Sequence, residues 1–184
     1  MAKLVGVSGS LRRGSFNAGL LAAAREVMPA GSTLEIATIA GIPLYDGDLE
    51  AADGIPAAVT AFKAAITGAD GLLLVTPEYN NGIPGVFKNA IDWASRPASD
   101  IGRVFGGRPV AVIGASPGGF GTILAQNDWL PVLRTLGTRP WHGGRLMAAQ
   151  AGKLFDAGGA LVDEPMRGRL AQFMAGFVAF VEGG

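Results

Sequence analysis

Short apolar runs alternate along this chain with longer segments whose apolar positions recur at helical spacing. Leu4-Val5-Gly6-Val7 is too short for a helix and is bounded by Ser and Gly, the pattern of a buried strand. Asn17 to Ala24 follows, a run of good helix formers behind a residue of capping type, closed by Pro29-Ala30-Gly31. Thr33 to Ile39 alternates as an edge strand does, and residues 40–55 read as a loop rich in Gly, Pro and Asp. Pro56 opens a helix that places Val59, Phe62, Ala65 and Ile66 on one face, and Gly68 ends it. Gly71 to Val75 is continuously apolar, as a central parallel strand is. Pro84 starts the next helix (GVFKNAIDWAS), a loop over about 96–108 follows, and Pro109 to Gly114 is a further buried strand. A helix from about Thr122 to Leu136 precedes a weakly marked strand near Arg145-Leu146-Met147-Ala148. The last helix starts at about Glu164 and carries Leu170, Phe173, Met174, Phe177 and Val178.

Strands alternating with helices predict an α/β protein, a parallel sheet covered on both faces, because parallel strands need right-handed crossovers. Five strands suit the order 2-1-3-4-5, with the ligand crevice at the carboxyl ends of strands 1 and 3, where the order reverses. The Gly/Pro/Ser-rich loops after strands 1, 3 and 4 all open at that end. No linker or repeat divides the chain, so residues 1–184 are expected to form one domain.

Composition narrows the function classes. Fifteen basic residues balance fifteen acidic ones, leaving no net field to gather nucleic acid or an anionic membrane. No apolar stretch approaches the roughly twenty residues of a membrane span, and the N-terminus lacks a signal peptide's layout, so a cytoplasmic location is expected. Mean hydropathy is +0.34 with only 16% charged residues, as a two-sided sheet and an apolar subunit interface both favour. Cysteine is absent and His142 is the one histidine, which removes thiol chemistry and leaves little for a Ser-His pair or a metal site. His142, in Pro140-Trp141-His142-Gly143-Gly144, reads as a loop or interface residue. Redox chemistry in this chain has to be carried by a bound cofactor.

The first loop supplies the anion chemistry. A strand feeding a helix leaves unpaired backbone N–H groups at the helix start, where the dipole is positive. Ser10, Ser15 and Asn17 add neutral donors there, and Arg12 and Arg13 add charge. Gly6 and Gly9 do not form the dinucleotide fingerprint and no triphosphate-loop motif follows, so a mononucleotide phosphate is the ligand this loop suits. In the second loop Pro77 and Pro84 stiffen the ends and Gly82 is expected to permit a tight bend. Glu78, Tyr79, Asn80 and Asn81 between them can present a fixed backbone edge to a flat heterocycle.

These loops together resemble the NADPH-dependent FMN reductase family of flavodoxin-like proteins, which includes quinone, azo-dye and chromate reductases. The likeness rests on Gly9-Ser10-Leu11-Arg12 with Ser15 and Asn17; on Pro77-Glu78-Tyr79-Asn80, then Pro84, Lys88-Asn89, Asp92-Trp93 and Ser95-Arg96; and on Ser116-Pro117-Gly118-Gly119. It covers almost the whole chain, including Phe155-Asp156 and Asp163-Glu164. The resemblance implies a flavodoxin-like three-layer sandwich in which Ser10, Arg12, Ser15, Phe16 and Asn17 hold the FMN phosphate. Pro77, Glu78, Tyr79 and Asn80 would border the isoalloxazine through the backbone, and Ser116, Gly118 and Gly119 would bound its other side. Lys88, Asn89, Asp92 and Trp93 would be structural or interfacial, with Trp93 in the core.

The implied activity is ping-pong transfer of hydride from NAD(P)H through FMN to a quinone, azo, nitro, chromate or flavin acceptor, with no catalytic side chain. The implied assembly is a homodimer or homotetramer, the Leu44–Tyr45 loop and the Trp93 helix being candidate contacts. The family's arginine near the Gly-Gly loop has no counterpart before Arg134, so NADPH and NADH both stay open as donors. A one-electron flavodoxin-type carrier and an FMN-binding redox sensor are the competing readings.

Overall fold

A computed structural model describes residues 1–184. The elements run β1 (Lys3–Ser8), α1 (Phe16–Glu26), β2 (Thr33–Ala37), α2 (Gly47–Asp53), α3 (Ala57–Thr67), β3 (Gly71–Val75), α4 (Gly85–Ala94), α5 (Ile101–Val104), β4 (Pro109–Ala115), α6 (Ile123–Thr135), β5 (Arg139–Pro140), β6 (Met147–Ala148) and α7 (Glu164–Glu182). All strand pairs are parallel and the order is β2-β1-β3-β4-β5, with β6 also on β4, as the alternation of strand and helix patterns predicts.

The period of two along each strand sorts side chains between two cores. Leu4, Leu73, Val75, Ala111 and Ile113 face α1 and α7, where Leu20, Leu170 and Phe177 are fully buried. Val5, Val7, Leu72, Leu74 and Val110 face the other way, against Phe62 of α3, Phe87 of α4 and Trp129 of α6. Central β3 is buried at every position because helices cover both its faces.

Four details differ from the sequence reading. The expected loop at 40–55 contains α2, capped by the Asp46 carboxylate, which accepts from the Asp48 N–H; none of its residues is buried, so it shows no apolar stripe. The loop at 96–108 contains the single turn α5. Ser15, not Asn17, caps α1, its hydroxyl oxygen accepting from the Ala18 N–H. The fifth strand is broken into β5 and β6. The N–H groups of Arg139 and Trp141 both donate to β4, at the Arg108 and Val110 carbonyls, so Pro140 faces the open edge. The chain leaves the sheet after Trp141, whose ring packs on Phe173 and Phe177, ring centroids 4.8 and 5.8 Å away.

Candidate functional site

The loops after β1, β3 and β4 leave the sheet at one end, and each is shaped by a different device. In the first, Gly9 donates to the Val75 carbonyl (2.9 Å) and lies against Phe87; a Cβ at Gly9 would come within 2.1 Å of that ring, so no other residue fits. Gly14, at φ 65°, turns the chain into α1. The Ser10 hydroxyl oxygen accepts from the Arg12 N–H (3.3 Å) and the Arg12 guanidinium donates to the Gly14 carbonyl (3.0 Å), lying 5.5 Å from the Phe16 ring centre. The N–H groups of Arg13, Gly14, Ser15, Phe16 and Asn17 have no acceptor within the protein. Those donors stand at the positive end of a helix, and their arrangement fits a phosphate group.

In the second loop Tyr79 and Gly82 exchange backbone hydrogen bonds (3.1 and 3.0 Å) across Asn80 and Asn81. Both asparagines lie in the left-handed region, at φ 49° and 64°, which makes a primed turn of the kind Asn tolerates. The bend therefore sits on Asn80-Asn81 rather than on Gly82. Thr76 is buried, its hydroxyl donating to the Pro77 carbonyl (2.7 Å), and Tyr79 is exposed. The Glu78 carboxylate turns to α6, where one oxygen accepts from the Leu124 and Ala125 N–H groups, both at 2.9 Å. It thus caps a helix whose own cap residue, Thr122, makes no side-chain cap bond.

The third loop is strapped from below. The Ser116 hydroxyl donates to the Gly121 carbonyl (2.6 Å), the Ser116 carbonyl accepts from Ala151 N–H, and the Gly118 carbonyl accepts from the N–H of Gln150, itself at φ 51°. Gly118 and Gly119 are exposed with their N–H groups free.

The loops are also tied pairwise. Gly9 joins the first to the end of β3, and Glu78 joins the second to α6 just past the third. Asn17 joins the first to the third: its amide donates to the Ala115 carbonyl (2.8 Å) and accepts from the Ala115 N–H (2.9 Å), both groups buried. Asn17, Gln150 and the Glu78 carboxylate fix the crevice, and their partners lie too far away in sequence for local pattern to reveal them.

Behind the second loop, α4 braces the segment leading into α2. Asn89 donates to the Pro43 carbonyl (2.8 Å) and accepts from the Tyr45 N–H (2.9 Å), while fully buried Trp93 donates to the same Pro43 carbonyl (2.9 Å). Arg96 donates to Glu50 (2.8 Å), which also accepts from the Tyr45 hydroxyl (3.0 Å). The Arg96 hydrogen bond holds the Glu50 carboxyl below its ordinary range, and the bond to Glu50 raises the Tyr45 phenol. Arg103, then Lys63, hold Asp100 down at about 2. Lys88 and Asp92 form an exposed pair one turn apart (2.7 Å).

Residues 2–153 match the family described as NADPH-dependent FMN reductase. The chain is 45% identical over 170 residues to an NAD(P)H-dependent FMN reductase of Pseudomonas aeruginosa, covering 92% of this chain and 90% of that one. It is 41% identical over 179 residues to a 2-hydroxy-1,4-benzoquinone reductase of a Burkholderia species, covering 97% and 96%. The structure of a flavoenzyme NAD(P)H:(acceptor) oxidoreductase from Paracoccus denitrificans superposes with a TM-score of 0.87 at 33% identity, covering 100% of this chain and 98% of that one. With open donors at the start of α1, two rigid loops beside them and matches of this extent, the chain belongs to the NADPH-dependent FMN reductase family.

Proposed function

We propose that the three tied loops hold FMN and that the protein passes reducing equivalents from NAD(P)H to a quinone-class acceptor. The observation carrying this reading is the set of unpaired N–H groups from Arg13 to Asn17, gathered at the helix start beside Ser10, Ser15 and Arg12. Bound FMN supplies two-electron chemistry between the nicotinamide and the acceptor. The chain supplies position. The α1 donors and Arg12 take the phosphate, and the Phe16 N–H lies among them. Pro77, Glu78, Tyr79 and Asn80 present backbone to one border of the ring, with the Glu78 carboxylate spent on α6 rather than on ligand. Gly118 and Gly119 offer N–H groups on the other side, where Ser116, its N–H donated to the Ala148 carbonyl and its hydroxyl to Gly121, shapes the border. Asn17 acts as a positioning residue through Ala115, its backbone N–H alone remaining for the phosphate.

Exposed Phe120 and Leu44 (84% and 80%) support a homodimer or homotetramer in which apolar surface beside the crevice is covered. The reading is tested on purified protein. The expected result is a yellow protein whose flavin bands bleach on anaerobic addition of NADPH or NADH and return with a quinone. A colourless protein that neither binds added FMN nor oxidises NAD(P)H in its presence refutes it.

A further inference from the structure

A cavity of about 370 Å³ lies where the fifth strand breaks, between α6 and the segment joining β5 to β6. We propose that this cavity is a second binding site, for a small planar organic anion, separate from the FMN crevice. Its floor is a gap in the sheet edge. Trp141 N–H donates to the Val110 carbonyl (2.8 Å) and Gly114 N–H to the Leu146 carbonyl (3.3 Å). Val112, midway between them, faces outward by the same alternation, yet no backbone hydrogen bond joins it to residues 141–146. Its N–H and C=O therefore stand as a free donor–acceptor pair on the cavity wall, a pairing that protein interiors rarely leave unmade.

The remaining lining defines the ligand. Trp141 gives a flat apolar side, fixed by its contact with Phe173. Arg145, His142 and Asn127 line the same space, are exposed, and have no hydrogen-bond or ion-pair partner in the protein. Gln126 spends its amide N–H groups on Thr122 and on the Leu146 carbonyl, leaving its oxygen. No Asp or Glu is among the lining residues, so the only formal charge is positive. A guanidinium is matched by a carboxylate in a planar two-point contact. An inorganic anion would leave the Trp141 side uncovered, and a neutral ring would leave Arg145 unpaired. Val112 stands four residues before Ser116, about 13 Å along an extended strand, which places the cavity outside the crevice. The two sites share α6 as a wall.

The test uses FMN-loaded, ¹⁵N-labelled protein with benzoate and benzamide as probes, and a Trp141→Phe variant to assign the indole signal. The expected result is saturable benzoate binding that shifts the Trp141 indole and Asn127 amide signals while the flavin absorption stays unchanged. Benzamide binds at least about tenfold more weakly. Arg145→Ala weakens benzoate about tenfold or more at unchanged melting temperature, and Arg145→Lys weakens it less. The proposal is overturned if benzoate leaves the Trp141 signal in place, perturbs only the flavin bands, binds no better than benzamide, or is indifferent to Arg145→Ala.

Discussion

The first loop and the α4 brace both consist of polar residues that the sequence marks out, and the structure uses them in opposite ways. In the brace, the polar side chains close on the protein itself. Asn89 spends both ends of its amide, Trp93 its indole N–H, and Arg96, Glu50 and Tyr45 close on one another. In the first loop the donors from Arg13 to Asn17 stay open, and the Arg12 guanidinium holds the loop with one bond to Gly14. A polar group with a partner stabilises the fold; one held in place without a partner stabilises a complex. Residue type does not separate the two: Arg occurs in both regions, and the Asn17 amide closes on Ala115 while its own backbone N–H stays open.

Substitutions that act on one region and spare the other sharpen this contrast. The largest effect is expected in the brace. Trp93→Ala removes a fully buried ring and the donor to Pro43, and should cost about 3–5 kcal/mol of stability in the apoprotein, read from the midpoint of urea unfolding. A loss below about 1 kcal/mol would mean that α4 does not anchor the Pro43–Glu50 segment.

The first loop should show the reverse signature. Arg12→Ala should leave the apoprotein's stability within about 0.5 kcal/mol of the parent. Its loss should appear on binding, about 1.5–3 kcal/mol, or ten- to a hundredfold weaker FMN. Riboflavin, without the phosphate, should bind parent and variant alike. Fluorescence titration of both ligands decides, and equal loss for the two would remove Arg12 from the phosphate site.

The smallest effect is electrostatic and sits at the end of the brace. Asp100 is held at about 2, below its ordinary 3.8, by hydrogen bonds from Arg103 and Lys63. A depressed carboxyl contributes stability that is complete above about pH 4 and is lost as pH falls through about 2. Asp100→Asn should therefore flatten the acid limb of stability between those values and leave its shape near neutrality unchanged. An unaltered acid limb would show that the pairs with Arg103 and Lys63 are not formed in solution.

Much of this architecture is legible in the chain because buried parallel strands write themselves as apolar runs. Gly71 to Val75 has nowhere to be but the centre. Elements without a buried face leave no such trace. None of the seven residues of α2 is buried, Leu49 and Glu50 being only half-buried, and only Asp46 with its acidic first turn signals them. β5 and β6 are two residues each and exist as strands only because β4 lies beside them. At the site, the loops and their small residues were readable, and the ties between them were not. Ser15 and Asn17 are both cap formers, and nothing local says which one caps α1. The Glu78 carboxylate lies where the sequence suggests a ligand edge, yet it serves α6, whose first turn is 46 residues away.

The Asn17–Ala115 contact makes the first loop's geometry a product of late chain. Its two hydrogen bonds join residues 98 apart and reach across β3, which stands between β1 and β4. A growing polypeptide carries every residue of the anion cradle within its first seventeen, but cannot fasten it until β4 has emerged and paired. Contacts of such sequence separation are those that topology makes slow to form. Competence to bind is thus timed by the sheet's assembly, and the earliest segment to be synthesised is among the last to take its working shape.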